Sequence, residues 1–258
     1  MIRAGSLRAR LSARVGKLEL ELELDTGPGT LVIVGPNGAG KTTLLSLLLG
    51  VLPVDHGQIA VGDVVLLDSE RRLSVPIEQR QLGYVPQDYG LFPHLTVAGN
   101  IAFALSCARP RLRPAERKRK LDAVLDELAL RSHAGSHPRT LSGGEKQRVA
   151  LARVICLEPR ALLLDEPMAA LDVHSRRDVV GSLVGSLASL ALPALVVTHD
   201  PYEAQVLGHR IAVLEAGRIS QCGTWNELVT RPASPFVERF VASLGTAPRS
   251  SVHFRSST

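Results

Sequence analysis

The stretch Leu31-Val32-Ile33-Val34-Gly35-Pro36-Asn37-Gly38-Ala39-Gly40-Lys41-Thr42-Thr43 decides the fold. Four unbroken apolar residues suit a strand buried on both faces, the habit of a parallel sheet covered by helices. Gly35 to Thr42 then matches the spacing G-x-x-x-x-G-K-S/T, and Thr42 to Leu49 reads as a helix ending near Gly50. Glycines let the backbone wrap closely, so that its N–H groups converge on phosphate oxygens, and the helix start adds favourable electrostatics. In this arrangement Pro36, Asn37 and Ala39 complete the loop. Lys41 is expected to reach the β- and γ-phosphates of a nucleotide, and the Thr42 hydroxyl to bind Mg²⁺. A chance glycine-rich turn is the plain alternative, and it would not need the strand before it or the helix after it.

Working outward, Leu18 to Asp25 alternates leucine with Glu19, Glu21 and Glu23, which predicts a strand with one wet face in an antiparallel sheet. Ile59 to Leu67 predicts two strands broken by a turn at Gly62-Asp63. Residues 88–155 change character: helical patterns, Arg117 to Leu130 among them, alternate with Pro and Gly breaks. From Ala161 the chain returns to strand, helix and strand, then a hairpin around Glu215-Ala216-Gly217. Val179 to Thr198 carries no charge and is long enough to span a bilayer, but Pro193 divides it and its serines and glycines dilute it. A helix followed by a short buried strand is the expectation there. The expected organisation is one domain over 1–244 with a helical insertion at about 88–155, and a tail over 245–258, rich in Ser, Arg and Pro, that frays.

The chain has 258 residues, 45% hydrophobic and 21% charged, which excludes disorder, collagen-like sequence and coiled coil as the main architecture. Thirty Lys plus Arg against 25 Asp plus Glu leave +5, too mild an excess to announce nucleic-acid binding. Cys107, Cys156 and Cys222 have no metal-ligand spacing, and a reduced, cytosolic setting fits them.

Two further elements carry chemistry. Ala161-Leu162-Leu163-Leu164 is an apolar strand ending in Asp165 and Glu166. Asp165 is expected to hold Mg²⁺ and Glu166 to polarise a water attacking the γ-phosphate, although an acidic strand exit is also common in α/β proteins. Between this strand and the phosphate loop lies Leu141-Ser142-Gly143-Gly144-Glu145-Lys146-Gln147-Arg148. Its glycines precede a helix, so backbone amides again face a possible anion site; the bland reading is an ordinary N-cap at Ser142.

Here the sequence resembles the ATPase subunits of ABC transporters, whose hallmark is this LSGG signature. The resemblance covers about residues 7–240 and includes Gln87 of the Q-loop, Asp172 of the D-loop (Ala170-Leu171-Asp172) and His199 of the switch, within Val197-Thr198-His199-Asp200. It implies an α/β P-loop NTPase core with an antiparallel β subdomain and an inserted helical signature subdomain, with ATP and Mg²⁺ as cofactors. It further implies two such subunits facing head to tail. Lys41, Thr42, Gln87, Asp165, Glu166 and His199 would act from one chain, with Gln87 also reaching the metal. Ser142, Gly143 and Gly144 would bind the γ-phosphate from the other. Closure would exclude water and couple chemistry to motion.

Some positions depart from the family pattern. Such subunits usually stack adenine on an aromatic residue upstream of the phosphate loop, and this chain has no Phe, Tyr or Trp before Tyr84. Arg14 or Val15 would serve instead, Arg14 by a cation–π contact. The D-loop lacks a serine often found there, and Glu145 stands where Gln is frequent.

The stretch from Pro76 through Gln87 to Asn100 resembles that of bacterial importer ATPases which meets the permease. Tyr89, Leu91 and Phe92 are expected to be exposed at that interface, with packing of the helical insertion as the alternative. The run Val65-Leu66-Leu67-Asp68-Ser69 is most similar to ATPases of molybdate importers. Those often carry a C-terminal oxyanion-binding domain, and the residues after Cys222 are too few for one. The expected function is therefore the ATPase of a bacterial importer for molybdate or a related oxyanion, peripheral on the cytoplasmic face of the inner membrane. Its expected partners are permease subunits, a second ATPase subunit and, indirectly, an extracytoplasmic solute-binding protein. Sulfate, iron or polyamine import is the alternative, and more distantly a non-transport ABC ATPase acting on ribosomes or DNA. The basic run Arg109, Arg111, Arg113, Arg117, Lys118, Arg119 and Lys120 could touch anionic lipid or RNA, but such a run is usually a solvated helix face. No aromatic residues interleave with it, and no nucleic-acid partner is expected.

Overall fold

The computed structural model describes residues 5–108, 110–169 and 173–245. Strands β1 (Leu7–Val15) and β2 (Leu18–Asp25) form an antiparallel pair, followed by β3 (Thr30–Val34) and helix α1 (Lys41–Leu49). The chain continues through β4 (His56–Val61), β5 (Val64–Asp68), β6 (Leu73–Ser74) and β7 (Leu82–Val85). Helices α2 (Val97–Ser106), α3 (Pro114–Glu127) and α4 (Gly143–Ile155) form the insertion. Then come β8 (Ala161–Asp165), α5 (Val173–Leu190), β9 (Ala194–Val197), α6 (Pro201–Leu207), β10 (Arg210–Glu215) and β11 (Arg218–Gly223). Helices α7 (Trp225–Thr230) and α8 (Pro235–Gly245) close the described chain.

These strands make two sheets. One is antiparallel with order β2-β1-β4-β5-β6; the other has order β11-β10-β3-β9-β8-β7 and is parallel except for its β10–β11 edge. The α/β reading is borne out, and periodicity explains which strand joins which sheet. In β2 Leu20, Leu22 and Leu24 are buried while Glu19, Glu21 and Glu23 face water, whereas β3, β8 and β9 are buried along their whole length.

Alternation on β3 divides the interior into two cores. Leu31 and Ile33 face α1 and the antiparallel sheet, joining Leu44, Leu45, Leu47, Leu48, Leu20 and Ile59. Val32 and Val34 face the other way, with Leu162, Leu164 and Val196, onto the helical insertion and α5, α6 and α8. Helix α1 is thus apolar on nearly all sides because it lies between two sheets. Removing one such leucine to alanine is a loss of about 2–5 kcal/mol.

Some boundaries differ from expectation. Helix α3 begins at Pro114, whose fixed φ suits a first helical position, with the Arg113 N–H donating to Glu116 at 2.9 Å. It stops at Glu127, and Ala129 follows with φ 51°. The uncharged stretch 179–198 divides as expected into the end of α5 and all of β9. Among the described residues no helix is long and apolar enough to cross a membrane. Helix α8 includes Gly245, the first residue of the expected tail; residues 246–258 lie outside the described residues.

The sequence reading passed over α7 and α8. Thr224 caps α7, accepting from the Glu227 N–H at 3.3 Å, while the Thr224 N–H donates to Glu227 at 2.7 Å. That capping box was visible in the sequence. Phe240 of α8 packs on Trp225 and Phe236 at ring separations of 6.2 and 5.7 Å.

Candidate functional site

The phosphate loop leaves β3 and enters α1 as the pattern requires. Gly38 and Gly40 have φ 79° and 103°, the left-handed region that favours glycine. A Cβ at Gly35 would stand 2.1 Å from the Leu214 carbonyl oxygen, so the first glycine is required by β10 beside it. Gly40 caps α1 without any side-chain bond to the helix amides, so the first-turn N–H groups at Lys41, Thr42 and Thr43 point into the loop without a competing cap. The Lys41 ammonium donates to the Gly35 and Pro36 carbonyls at 2.8 and 3.0 Å. Burial lowers its pKa, opposed by the charges of Glu166 and Asp165.

Asp165 ends β8 at 6% exposure. Burial raises its carboxyl above the ordinary range, a push reinforced by Glu166 and opposed by hydrogen bonds from Thr42 and Tyr84 and by the Lys41 charge. Tyr84 of β7 lies 3.4 Å from Asp165 Oδ2, and its phenol is pushed up to about 12, first by burial and then by Asp165. Sequence reading gave Tyr84 no role. Its one available signal was a hydroxyl-bearing ring on the strand leading to Gln87.

Glu166 sits just past the strand with φ 45°, a conformation that costs a non-glycine residue roughly 1–3 kcal/mol and that must be held by its surroundings. Its N–H bonds the Val197 carbonyl at 2.9 Å. Gln87 Nε2 donates to Glu166 Oε2 at 3.2 Å, and His199 Nδ1 lies 3.2 Å from Oε1. Three residues separated by 79 and 33 positions therefore meet at one carboxylate. Gln87, expected also at the metal, here turns its amide to Glu166.

Ser142 caps α4: its Oγ accepts from the Glu145 N–H at 3.3 Å, and its own N–H donates to Glu145 Oε2 at 2.7 Å. Those bonds hold the Glu145 carboxyl below its ordinary range, and His133 stands 3.2 Å away. Ser142 is exposed, Gly143 half-buried and Gly144 buried, with a Cβ at Gly144 calculated to fall 2.8 Å from Val179 of α5. Helix α4 packs on α2, α3, α5 and β7, while α1 packs on β8. Asp172 lies outside the described residues.

Arg14, expected near adenine, is an exposed residue of β1 ion-paired with Glu19, and its N–H donates to Asp55 at 2.8 Å. Val15 pairs in register with Leu18, and Leu18 is the side chain closest to Gly40, 2.9 Å from the position its Cβ would take. The expected exposure of Tyr89 is corrected. It is 4% exposed and belongs to the core beneath the helical insertion, because the turn at Pro86–Gly90 folds its ring inward. Leu91 and Phe92 are half-buried, and Phe103, 47% exposed, meets Phe92 edge-on at 4.7 Å with Arg153 over the other side of the Phe92 ring at 4.7 Å. Of the basic run, Arg111, Arg113, Lys118 and Arg119 are exposed, and Lys120 is ion-paired with Glu158.

A surface depression of about 1020 Å³ lies on the antiparallel sheet among Arg10, Glu21, His56, Asp68 and Arg218, and no phosphate-loop residue lines it. The phosphate loop, Asp165 with Glu166, and His199 follow the carboxyl ends of β3, β8 and β9, the end at which open α/β sheets bind ligands.

A profile of the ABC transporter family matches residues 19–169, more than half of the chain, and the chain belongs to that family. Family membership carries ATP binding with it. A sulfate/thiosulfate import ATP-binding protein of Gloeobacter violaceus is 40% identical over 232 residues, 89% of this chain and 65% of the relative. A molybdenum import ATP-binding protein of Paramagnetospirillum magneticum is 37% identical over 233 residues, covering 90% of this chain and 63% of the relative. A molybdate/tungstate import ATP-binding protein of Pyrococcus abyssi is 42% identical over 210 residues, covering 81% and 59%. The chain spans less than two thirds of the length of each of these three.

Proposed function

We propose that this chain hydrolyses ATP to drive an importer of a tetrahedral oxyanion, as a peripheral subunit on the cytoplasmic face of a membrane permease. The observation that carries the chemistry is the meeting of Gln87 and His199 on Glu166, one residue beyond the buried Asp165 and beside the Lys41 loop. Thr42 and Asp165 offer hard oxygen donors close enough to hydrogen-bond one another, a set that suits Mg²⁺ completed by phosphate oxygens and water.

In this reading Lys41 and the loop amides hold the β- and γ-phosphates. Glu166 orients and polarises the attacking water, and Gln87 and His199 fix the carboxylate in place. Ser142, Gly143 and Gly144 would complete the site of a second copy, consistent with α4 packing away from α1. Asp172 is assigned to the same subunit contact. Adenine rests along the Arg14–Val15 edge of β1, with Leu18 adding apolar surface next to the loop.

The oxyanion assignment rests on the solutes for which the relatives are named, sulfate or thiosulfate for one and molybdenum or molybdate/tungstate for the other two. Across the wider set of similar proteins, six sulfate/thiosulfate importers against two for molybdenum or molybdate/tungstate favour sulfate; the Val65–Ser69 run favours molybdate. The half-buried Leu91 and Phe92 with exposed Phe103 support a permease contact at this edge.

The test is Mg·ATP turnover and ATP binding by the wild type and Glu166→Gln. The variant is expected to bind ATP while turnover falls on the order of 10²-fold or more, and to run as a dimer in ATP. Near-normal turnover would remove Glu166 from the mechanism.

A further inference from the structure

Glu203 of α6 is 2% exposed, and a carboxylate buried this deeply is costly unless its partners hold it. Its Oε2 accepts the Thr198 hydroxyl at 2.6 Å, and its Oε1 lies 3.9 Å from Arg176 Nε on α5. The same Thr198 oxygen accepts the Asp200 N–H at 3.1 Å, and Arg176 Nη1 reaches Asp200 Oδ2 at 2.7 Å. Asp200 in turn caps α6, accepting from the N–H groups of Tyr202 and Glu203 at 2.8 and 3.1 Å. Thr198 and Asp200 are the two neighbours of His199 in the chain, so the backbone on both sides of His199 is tied to one buried group.

A second observation comes from the turn after Gln87. Tyr89 holds φ 64° and is 4% exposed, and its hydroxyl is buried without a hydrogen-bond partner. Its phenol is pushed up to about 12, first by burial and then by the charge of Glu203. A strained, incompletely bonded tyrosine beside that carboxylate marks a place where local stability has been given up, which is common where geometry serves a site.

We propose that Glu203 is a positioning residue for ATP hydrolysis: through Thr198 and the Asp200 cap it sets the backbone that presents His199 to Glu166. This rests on the ATPase reading above. Glu203 touches neither nucleotide nor the reacting atoms; it acts through the switch segment.

The test measures Mg·ATP turnover per ATP-binding site, so that misfolded chains are not counted, together with thermal melts. Glu203→Leu is expected to lower kcat about tenfold with KM for ATP within about twofold, because the Lys41 loop is untouched. Its melting temperature is expected to stay close to that of the wild type, since relief of the carboxylate's burial offsets the loss of its bond from Thr198, and Arg176 keeps Asp200. Glu203→Gln keeps an acceptor for the Thr198 hydroxyl and is expected to recover kcat to within about threefold of wild type. A merely structural residue would move the melt and leave kcat per site alone. Wild-type kcat in Glu203→Leu, or a Glu203→Gln variant as slow as Glu203→Leu, would overturn the assignment. Should Glu203→Leu fail to fold, Thr198→Val removes the same bond from the other side, and an unchanged kcat per site in that variant would overturn it equally. A wild-type chain that binds ATP without any turnover, alone or with its permease, would overturn the ATPase reading itself and this assignment with it.

Discussion

Replacing Arg80 with alanine should destabilise the phosphate helix from the end opposite its chemistry. The Arg80 side chain is 3% exposed, and its guanidinium donates to Leu48 O at 2.5 Å, Leu47 O at 3.4 Å and Val75 O at 2.9 Å. Two of those carbonyls close α1, whose last turn carries no basic residue of its own. The cation therefore serves as a C-terminal cap supplied from a loop some thirty positions away. Its removal strips a charged donor from the Leu48 and Val75 carbonyls, at about 1–3 kcal/mol each, and forfeits about 1 kcal/mol of helix-dipole attraction. Relief of the guanidinium's burial, which already pulls its pKa down, returns several kcal/mol. Taking the middle of each range, the net expectation is a loss of about 2 kcal/mol, or about 4–8 °C in Tm for a domain this long.

Urea unfolding with tryptophan fluorescence or circular dichroism would measure the loss, and ATP affinity should change by less than about twofold because Lys41 and Thr42 stand at the far end of the helix. Gly50 supplies an internal check. It has φ 81°, and a Cβ there would lie 2.6 Å from Arg80 Cζ, so Gly50→Ala should displace the guanidinium and be less than additive with Arg80→Ala. A loss under about 0.5 kcal/mol for Arg80→Ala, or strict additivity of the pair, would refute the capping argument.

Other outcomes follow from the same geometry. Burial, assisted by Asp200 and opposed by Thr198, Arg176 and His199, pushes Glu203 up from 4.5 to about 7. A raised carboxyl pKa favours the folded state below 4.5 and loses that advantage as pH climbs to about 7. Glu203→Gln should therefore gain stability relative to wild type between pH 5 and 8, by about 3 kcal/mol at most, and a pH-independent difference in urea unfolding would contradict the burial argument. Tagged Glu166→Gln chain recovered with ATP from detergent-solubilised native membranes should bring down a stoichiometric integral-membrane protein; recovery with ribosomal or DNA-bound proteins alone would overturn the transport reading. That membrane partner then allows sulfate, thiosulfate, molybdate and tungstate to be compared as solutes, and stimulation by none of them would remove the oxyanion assignment.

Local chemistry made the phosphate site readable. The apolar run 31–34, the glycines after it and the alternation at 18–25 each constrain a few adjacent residues, and the structure follows them closely. What escaped depends on long separations. Nothing near Tyr84 in the chain announces Asp165, 81 positions later, and nothing at Glu203 marks it as the buried partner of Thr198 rather than a helix-surface acid. Tyr89 reads as exposed because it follows Pro86-Gln87-Asp88, and only the left-handed turn sends its ring into the core. The adenine contact stays a proposal at Arg14 or Val15, and what the sequence alone does not show is that the register sets Arg14 opposite Glu19, with which it pairs. Helix α7 escapes for another reason, since it has six residues and the capping box at Thr224 is its chief local sign.

The β10–β11 turn has a mechanical consequence. Gly217 carries φ 78°, a Cβ there would fall 1.8 Å from the Glu19 carbonyl oxygen, and its own carbonyl accepts the Glu21 N–H at 2.9 Å while Arg218 pairs with Glu21 at 2.6 Å. These contacts tie the edge of the parallel sheet to the edge of the antiparallel one, so shear between the two sheets at this edge would break a backbone hydrogen bond and an ion pair. Any stroke the chain makes must then be taken up elsewhere. The helical insertion joins this mount through the Pro86–Pro93 turn and the Pro138–Leu141 approach to α4, so a movement of the insertion against the paired sheets has to pass through those two segments.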